Sequence, residues 1–506
     1  MRKLCLVLAL VMLLLCGCGK DSGPHTCPPH LDKNDDGLCD VCRAVVLVAV
    51  DIYAINDLHG KIADGDTHVG VDEMSTYLNN AKASGNNTIL LSSGDMWQGA
   101  PEANMTEGLL VTDWMNEMGF VSMTLGNHEY DWGSEAIRKN AQHANFPFLA
   151  INVYDKATRQ QVDYCKSSTV VDFGDVQIGI IGAMGDCYSS IASEMSEDVY
   201  FITGGQLSAL VVEEANKLRQ QGVDFIIYSI HDGYGKSAGG SEPEQVSRRD
   251  LSGYYDVALS NGTVDLVFEG HTHQGYTLID EYGVYHLQGG GDNKGITFAS
   301  VVVNTVTGTS QVMSHEYITS GAYSRLDDDP VVQMVMDKHA ETIAPAFEIV
   351  GKNARLRNSY ELQQLAADLY RDAGMEKWGD QYDIVLGGGF LGCRSPYEMK
   401  SGDITYGLLC SLFPFNNEIV LCSIQGRELV SKFYETTHSK YYMGYTPYGE
   451  DLAGNVDPNA TYYVVVDTYS ANYAPNKMTI VDYLGENIYA RDLIADFLGE
   501  GGWANE

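Results

Sequence analysis

The chain reads as an α/β protein of two large domains, and three observations carry that expectation. At 506 residues it exceeds what one hydrophobic core ordinarily organises, so two domains with a small extra module fit better than one. From Val46 onward, apolar runs of strand length alternate with amphipathic helical stretches such as "DEMSTYLNNAKAS" and "GGQLSALVVEEANKLRQ", the pattern of central sheets covered by helices. The apolar runs end in Asp, His and Asn, and the crevice beyond the carboxyl ends of strands is where open α/β sheets bind ligands.

Residues 1–17 are expected to be a targeting segment outside the fold. Met1, Arg2 and Lys3 make a short basic start, and "LCLVLALVMLLLC" is too short to span a bilayer comfortably, so the segment reads as an export signal. Leu15-Cys16-Gly17-Cys18 resembles the bacterial lipoprotein box, which implies cleavage before Cys18, lipid on that residue, and an extracytoplasmic protein anchored to the membrane of a bacterial cell envelope. An ordinary secretory signal with an incidental Cys18 is the alternative.

Residues 18–45 hold a small module, "CPPHLDKNDDGLCDVC", that admits three readings. Cys27, His30, Cys39 and Cys42 have the spacing of a tetrahedral zinc site. Asp32, Asn34, Asp36 and Gly37 match the early positions of a calcium loop, although Arg43 stands where the bidentate Glu belongs. An exported chain also admits a disulfide between two of the three cysteines. In none of these would the module be catalytic.

The formal charge of −36 argues against binding nucleic-acid polymers, which need clustered Lys and Arg. An anionic substrate must therefore meet a locally positive site within an acidic molecule, and metal ions create one. The strand ends between residues 46 and 325 suggest where. "VAVDIYAIND" ends in Asp57 with His59 two residues on; "TILLSSGD" ends in Asp95; "VSMTLGNH" ends in Asn127 and His128; "DFIIYSIH" ends in His231; "VDLVFEGHTH" ends in His271 and His273. One such cluster is an ordinary polar turn, but five strands delivering the same residue types to the same kind of position are not. Imidazole and carboxylate suit zinc, manganese, iron or cobalt, among which the residues do not choose.

Asp57-Leu58-His59, Gly94-Asp95, Gly126-Asn127-His128-Glu129, His231 and Gly270-His271-Thr272-His273 resemble the five blocks of the calcineurin-like metallophosphoesterases, in order and over about 220 residues. The resemblance implies an αββα sandwich with two divalent ions. One would be held by Asp57, His59, Asp95 and His273, the other by Asp95, Asn127, His231 and His271, with Asp95 bridging. Two such ions bring more charge than Asp57 and Asp95 remove, so the centre stays cationic, attracts phosphate and acidifies a water to attack phosphorus. The resemblance assigns His128 as a donor to the phosphoryl oxygen or leaving group and Asp131 as the acid that orients it.

"FPFLAINV" and "VDFGDVQIGIIG" are similar to the 5'-nucleotidase subfamily. "DDPVVQMVMDKHAETI" has helical spacing with Pro in its first turn, so residues 326–345 are expected to form a linker helix. Residues 346–506 then resemble the C-terminal 5'-nucleotidase α/β domain that confers specificity. Arg394, and Arg355 or Arg357, match its anion-binding arginines, and Phe415 in "LFPFNNE" matches an aromatic that stacks on a nucleobase. Two departures stand out. The family's Asn-Gly-Gly-Gly segment with a close Arg appears as "LGGGFLGCR", and the late glycine-rich segment bearing the second stacking ring is replaced by "TYSANYAPNKM", leaving Tyr469 or Tyr473 as substitutes. The expected substrate is a nucleotide phosphoester. Cyclic nucleotides, nucleotide sugars and phosphoesters without a base are alternatives within the same chemistry. A surface protein that binds nucleotides or metals without turnover would be expected to lack a ligand or His128, and none is missing.

Overall fold

The computed structural model describes residues 32–33, 37–40, 46–64, 69–234, 244–245, 263–389, 393–394, 397–433, 442–443, 452–472 and 478–505. Five strands lead to the site: β1 (Leu47–Ile55), β2 (Asn87–Ser92), β3 (Ser122–Thr124), β4 (Phe225–His231) and β5 (Leu266–Phe268). β1, β2 and β3 are parallel neighbours in a six-stranded sheet, with Gly295–Asn304 antiparallel on the other side of β1. β4 and β5 are parallel neighbours in a seven-stranded sheet, flanked by Gln177–Met184 beside β4 and by β7 (Tyr285–Gly289) beside β5; β6 (Gly275–Ile279) runs antiparallel to β7.

Strand alternation sets the layers. Val50, Ile52 and Ala54 of β1 meet Ile178, Ile180, Phe225, Ile227 and Phe268 of the second sheet in a core between the sheets. Tyr53 and Ile55, on the opposite face of β1, pack under the helices Asp72–Ala83 and Leu109–Met118 through Met74, Leu78 and Trp114. On the far side, Leu207, Val211, Ala215 and Leu218 recur at helical spacing along Gly204–Gln220 and cover Ile226, Tyr228 and Ile230 of β4. Helix, sheet, sheet and helix follow in turn, giving the αββα sandwich. The two sheets are pinned near their carboxyl ends by buried hydroxyls: Thr124 donates to Ser229 Oγ at 2.7 Å, and Ser93 and Ser229 lie 3.1 Å apart.

The second α/β unit is a five-stranded mixed sheet in the order Tyr442–Met443, Ile384–Gly389, Thr461–Asp467, Ile419–Gln425, Thr479–Tyr483. Helices Ser359–Trp378 and Ala490–Gly499 pack on one face around Tyr370, Leu421 and Val465. Gly426–Phe433 covers the other face through Leu429 and Phe433. Cys39 is buried, and Cys165, Cys187, Cys393, Cys410 and Cys422 are buried and unbridged. Among the described residues no helix is long and apolar enough to cross a membrane.

The linker differs from the single helix expected over 326–345. A helix starts at Pro330, where Asp329 caps Val331 N at 3.0 Å, and runs only to Lys338. His339, at φ −102° and ψ 7°, interrupts it; a short turn Ala340–Ile343 and a 3₁₀ turn at Ala344–Phe347 follow. The break aims two donors, Lys338 and His339, at Asp113 in the helix Leu109–Met118; Asp113 also takes His143 from the end of the helix Gly133–His143. Lys338 Nζ and His143 Nε2 reach Oδ1 at 2.6 Å each, and His339 Nε2 reaches Oδ2 at 2.7 Å. Burial opposes charge on Asp113, but hydrogen bonds from His143, Lys338 and His339 outweigh it and hold the carboxyl below its usual value. Its stabilisation is therefore present at neutral pH and lost as pH falls through that depressed value. Asp113→Ala should cost about 1–3 kcal/mol at pH 7. In melts across pH, the gap from the parent protein should narrow below about pH 4, near the ordinary carboxylate value.

Candidate metal centre

Each ligand-type side chain is placed by a turn at a strand's carboxyl end. Asp57, His59, Asp95, His271 and His273 all adopt positive φ, between 51° and 70°. Non-glycine residues seldom hold the left-handed region without a surrounding structure that enforces it, and such strain gathers at functional sites. Glycines allow the close approach. A Cβ on Gly126 would lie 2.2 Å from Asp95 Oδ1, and one on Gly94, itself at φ 95°, would lie 2.6 Å from His231 Nδ1.

The side chains converge as two adjoining groups, Asp57 with His59 and His273, and Asp95 with His231 and His271; within each, the ligand atoms all lie within 4.8 Å of one another. His59 Nε2 and His273 Nε2 are 3.0 Å apart, His273 Nε2 is 3.3 Å from Asp57 Oδ1, and His231 Nε2 is 3.0 Å from Asp95 Oδ2. His231 Nε2 also lies 3.9 Å from Asp57 Oδ1, across the boundary between the groups. The tautomers are set from behind. His59 Nδ1 faces Gln98 O at 2.8 Å and His231 Nδ1 faces Ser93 O at 2.6 Å, so each Nδ1 carries a proton and each Nε2 faces the centre.

Backbone and amide donors orient the carboxylates. Asn56 Nδ2 donates to Asp57 Oδ2 at 2.6 Å, His271 N donates to the same oxygen at 2.9 Å, and His128 N donates to Asp95 Oδ1 at 2.8 Å. Glu129, fully buried, accepts the N–H groups of Asp95, Met96 and Gly126 at 3.0, 2.8 and 2.6 Å, which fixes the loop carrying Asp95. Burial pushes the His59 and His271 imidazoles down to about 4, with the nearby His128 and His231 respectively adding to the effect, so both stay neutral. Burial opposes the Asp57 and Asp95 charges, yet contacts with His273 and His231 hold both carboxyls below their usual value.

Divalent cations fit these residues. Asn127 Oδ1 is buried without a hydrogen-bond partner among the described residues, and so is His231 Nε2, whose approach to Asp95 lacks hydrogen-bond geometry. Imidazole, amide and carboxylate gathered at one place are the ligand set of a divalent cation, which would satisfy them together.

Beside this centre, Asn127–Trp132 forms a 3₁₀ turn in which residues three apart are eclipsed, so His128 and Asp131 meet, Nδ1 to Oδ2, at 2.9 Å. Burial opposes protonation of His128, but Asp131 and Asp95 raise it to about 9, so the imidazole holds its proton at neutral pH.

A cavity of about 900 Å³ opens over the centre and is walled by both domains. His59, Asp95, Asn127, His128, Asp131, His271 and His273 line one side, and Arg394, Phe415 and Tyr469 line the other. The Phe415 ring lies 6.5 Å from the His128 ring at 22°, and the Arg394 guanidinium sits 5.1 Å from the Phe415 centroid. The sequence reading missed Lys61 and Asp292, which form an ion pair in the wall. Asp292 stands in the glycine-rich "LQGGGDNKG", which turns beside the ligand groups: Asp292 N donates to Asp57 O at 2.8 Å, and Gly291 abuts the His273 ring.

Two assignments need correction. Arg355 and Arg357 do not line the cavity. Arg355 pairs with the nearby Glu361, and Arg357 is buried with its guanidinium 4.3 Å from the Trp503 ring centroid, so local partners take both charges. Tyr473, Cys18, Cys27, His30 and Cys42 lie outside the described residues. In the N-terminal module, Asp32 accepts Gly37 N at 3.0 Å, and Gly37 has φ 78°.

Residues 50–275 match the calcineurin-like phosphoesterase family. The chain carries a calcineurin-like phosphoesterase domain over that stretch. It is 24% identical over 437 residues to Protein UshA of Yersinia enterocolitica, covering 77% of this chain and 76% of that one. A putative 5'-nucleotidase from Staphylococcus aureus superposes with a TM-score of 0.68 at 16% identity, over 90% of this chain and 98% of that one. A 5'-nucleotidase precursor from Thermus thermophilus gives 0.64 at 17%, over 90% and 97%. These likenesses show a shared two-domain fold. Metallophosphoesterases work with divalent metals, and the two ligand groups are where this one would hold them.

His128→Asn should lower turnover by about two to four orders of magnitude, the range for a positioned acid, with metal content unchanged by elemental analysis. His231→Ala should instead lose metal along with activity. Wild-type rates in metal-loaded His128→Asn would remove that residue from the mechanism.

Proposed function

We propose that this metallophosphoesterase hydrolyses nucleotide phosphate esters outside the cytoplasm, as a 5'-nucleotidase-like enzyme. The observation that carries the reading is the shared cavity, in which an ionisable His128–Asp131 pair and a metal-ligand cluster face Arg394, Phe415 and Tyr469 from the second domain. Two divalent ions would supply positive charge for the phosphoryl group and acidify an attacking water. The chain's own residues do the rest. Asp57, His59, Asp95, Asn127, His231, His271 and His273 hold the ions in place. His128 keeps a proton at Nε2 and delivers it to the departing oxygen, while Asp131 fixes the ring through Nδ1. Arg394, close enough to His128 to oppose its protonation, offers a guanidinium fork to the phosphate. The ring of Phe415 gives the leaving group an apolar face.

One observation favours a second reading with the same chemistry, a phosphoester without a base. Arg394 lies against Phe415, so stacking on that ring competes with a cation already there. A screen of the purified, metal-loaded protein against nucleoside monophosphates, cyclic nucleotides, nucleotide sugars and simple phosphomonoesters separates the two. Nucleoside monophosphates should give the highest kcat/KM, and Phe415→Ala should reduce that preference. Equal rates with glycerol phosphate and with AMP, unaffected by Phe415→Ala, would transfer the function to the second reading.

The location belongs to the same proposal and is supported by the N-terminal sequence. In bacteria fed a labelled fatty acid, the wild-type protein should take up label and fractionate with membranes, whereas Cys18→Ala should do neither.

A further inference from the structure

A buried polar network stands behind the last two ligand-bearing turns, on the side away from the cavity, and the reaction itself does not use it. Glu269 immediately precedes Gly270-His271, and its side chain is fully buried. Its Oε1 accepts His286 Nδ1 at 2.8 Å, and its Oε2 accepts the Tyr276 hydroxyl. Because that hydroxyl directs its proton to Glu269, its oxygen is free to accept the Tyr234 N–H, at 2.9 Å. Tyr234 lies three residues beyond His231. Its carbonyl accepts the hydroxyl of Thr272 at 3.0 Å, and Thr272 stands between His271 and His273. Gln288 Nε2 donates to Thr272 Oγ1 at 2.7 Å, and Gly270 N donates to Asp232 O at 3.0 Å.

The turn after β4 and the turn after β5 are thus joined at three points. Gly270 holds Asp232, Thr272 holds the Tyr234 carbonyl, and Tyr276, directed by Glu269, holds the Tyr234 amide. The turns carry His231, His271 and His273, and the rings of His231 and His271, partners in one ligand group, lie 5.5 Å apart. A buried carboxylate is costly unless its oxygens are occupied, and an apolar residue would fill this position, on the same face as Val267 and Tyr276, without that penalty. What the carboxylate adds is direction: it obliges Tyr276 to present an acceptor to the turn that follows His231.

We propose that Glu269, acting through Tyr276, is a positioning residue that sets the spacing of His231 against His271 and so the affinity of the second ligand group for its ion. The inference rests on the metallophosphoesterase reading of the centre. Its test reads metal rather than turnover, so a failure to find the substrate leaves it standing or falling on its own.

The variant is Tyr276→Phe, which keeps the ring and removes the hydroxyl. Manganese binding to metal-stripped protein is followed by calorimetry, together with the thermal midpoint of the metal-free form. One of two binding events should weaken about 10- to 100-fold, the usual cost of losing a group that orients a ligand. The other should stay within about threefold, and for whichever substrate is turned over, kcat at limiting metal should fall more than KM rises and recover with excess metal. Thr272→Val removes the clamp from the opposite turn, and it should weaken the same event if Tyr276→Phe does not fold. Wild-type manganese affinity at both sites in either folded variant, with only a lower midpoint, would reduce the network to packing and overturn the proposal.

Discussion

Seven side chains converge on one small region where both sheets end, and two of their buried atoms, Asn127 Oδ1 and His231 Nε2, have no hydrogen-bond partner among the described residues. Asp57, His59, Asp95, Asn127 and His231 are buried there, and His271 and His273 are half-buried. Buried polar atoms without partners are expensive, and divalent cations would satisfy these. Much of the local structure follows from this. Five ligands hold left-handed backbone, glycines at 94 and 126 leave no Cβ in the way, and Asn56, Glu129, Gln98 and Ser93 use their hydrogen bonds for orientation.

The sandwich makes that convergence geometrically possible. Asp57, Asp95 and Asn127 follow strands of one sheet, while His231, His271 and His273 follow strands of the other, so each ligand group draws on both. The centre therefore depends on the register between sheets as much as on either sheet alone. Beneath it, the contacts among Ser93, Thr124 and Ser229 cross the same gap, where an apolar core would allow the layers to slide. Side chains that would be mere turn residues in one sheet become a candidate metal site because two sheets end at the same level.

Charge explains the division of labour between the domains. The protein is strongly acidic overall, so attraction of a phosphate has to be local. The catalytic domain supplies sites for cations and a protonated His128; the second domain supplies Arg394 and aromatic surface. The linker is held to the catalytic domain through Asp113, which takes Lys338 and His339 just where the helix breaks. That anchorage ties the path into the second domain to the sandwich that carries the metal ligands.

The sequence alone determined the α/β class and the run of strand-end Asp, His and Asn residues, because these are local facts of residue type and apolar periodicity; the partnership of His128 with Asp131 came from the family resemblance, and the 3₁₀ turn brings the two together at 2.9 Å. Asp57, Asp95, Asn127, His231, His271 and His273 could be named before any coordinates existed, since each stands at the end of a readable apolar run. Tertiary structure decided what spacing does not encode. Arg355 and Arg357 look like Arg394 in sequence, yet Glu361 and Trp503 claim them, a matter of which neighbours a fold supplies. Lys61 and Asp292 lie 231 residues apart and form a wall only after the sheets close. Glu269, in an apolar run, reads as an oddity until β6 and β7 bring Tyr276 and His286 to its two oxygens, because a buried carboxylate takes its meaning from partners that the chain delivers from elsewhere.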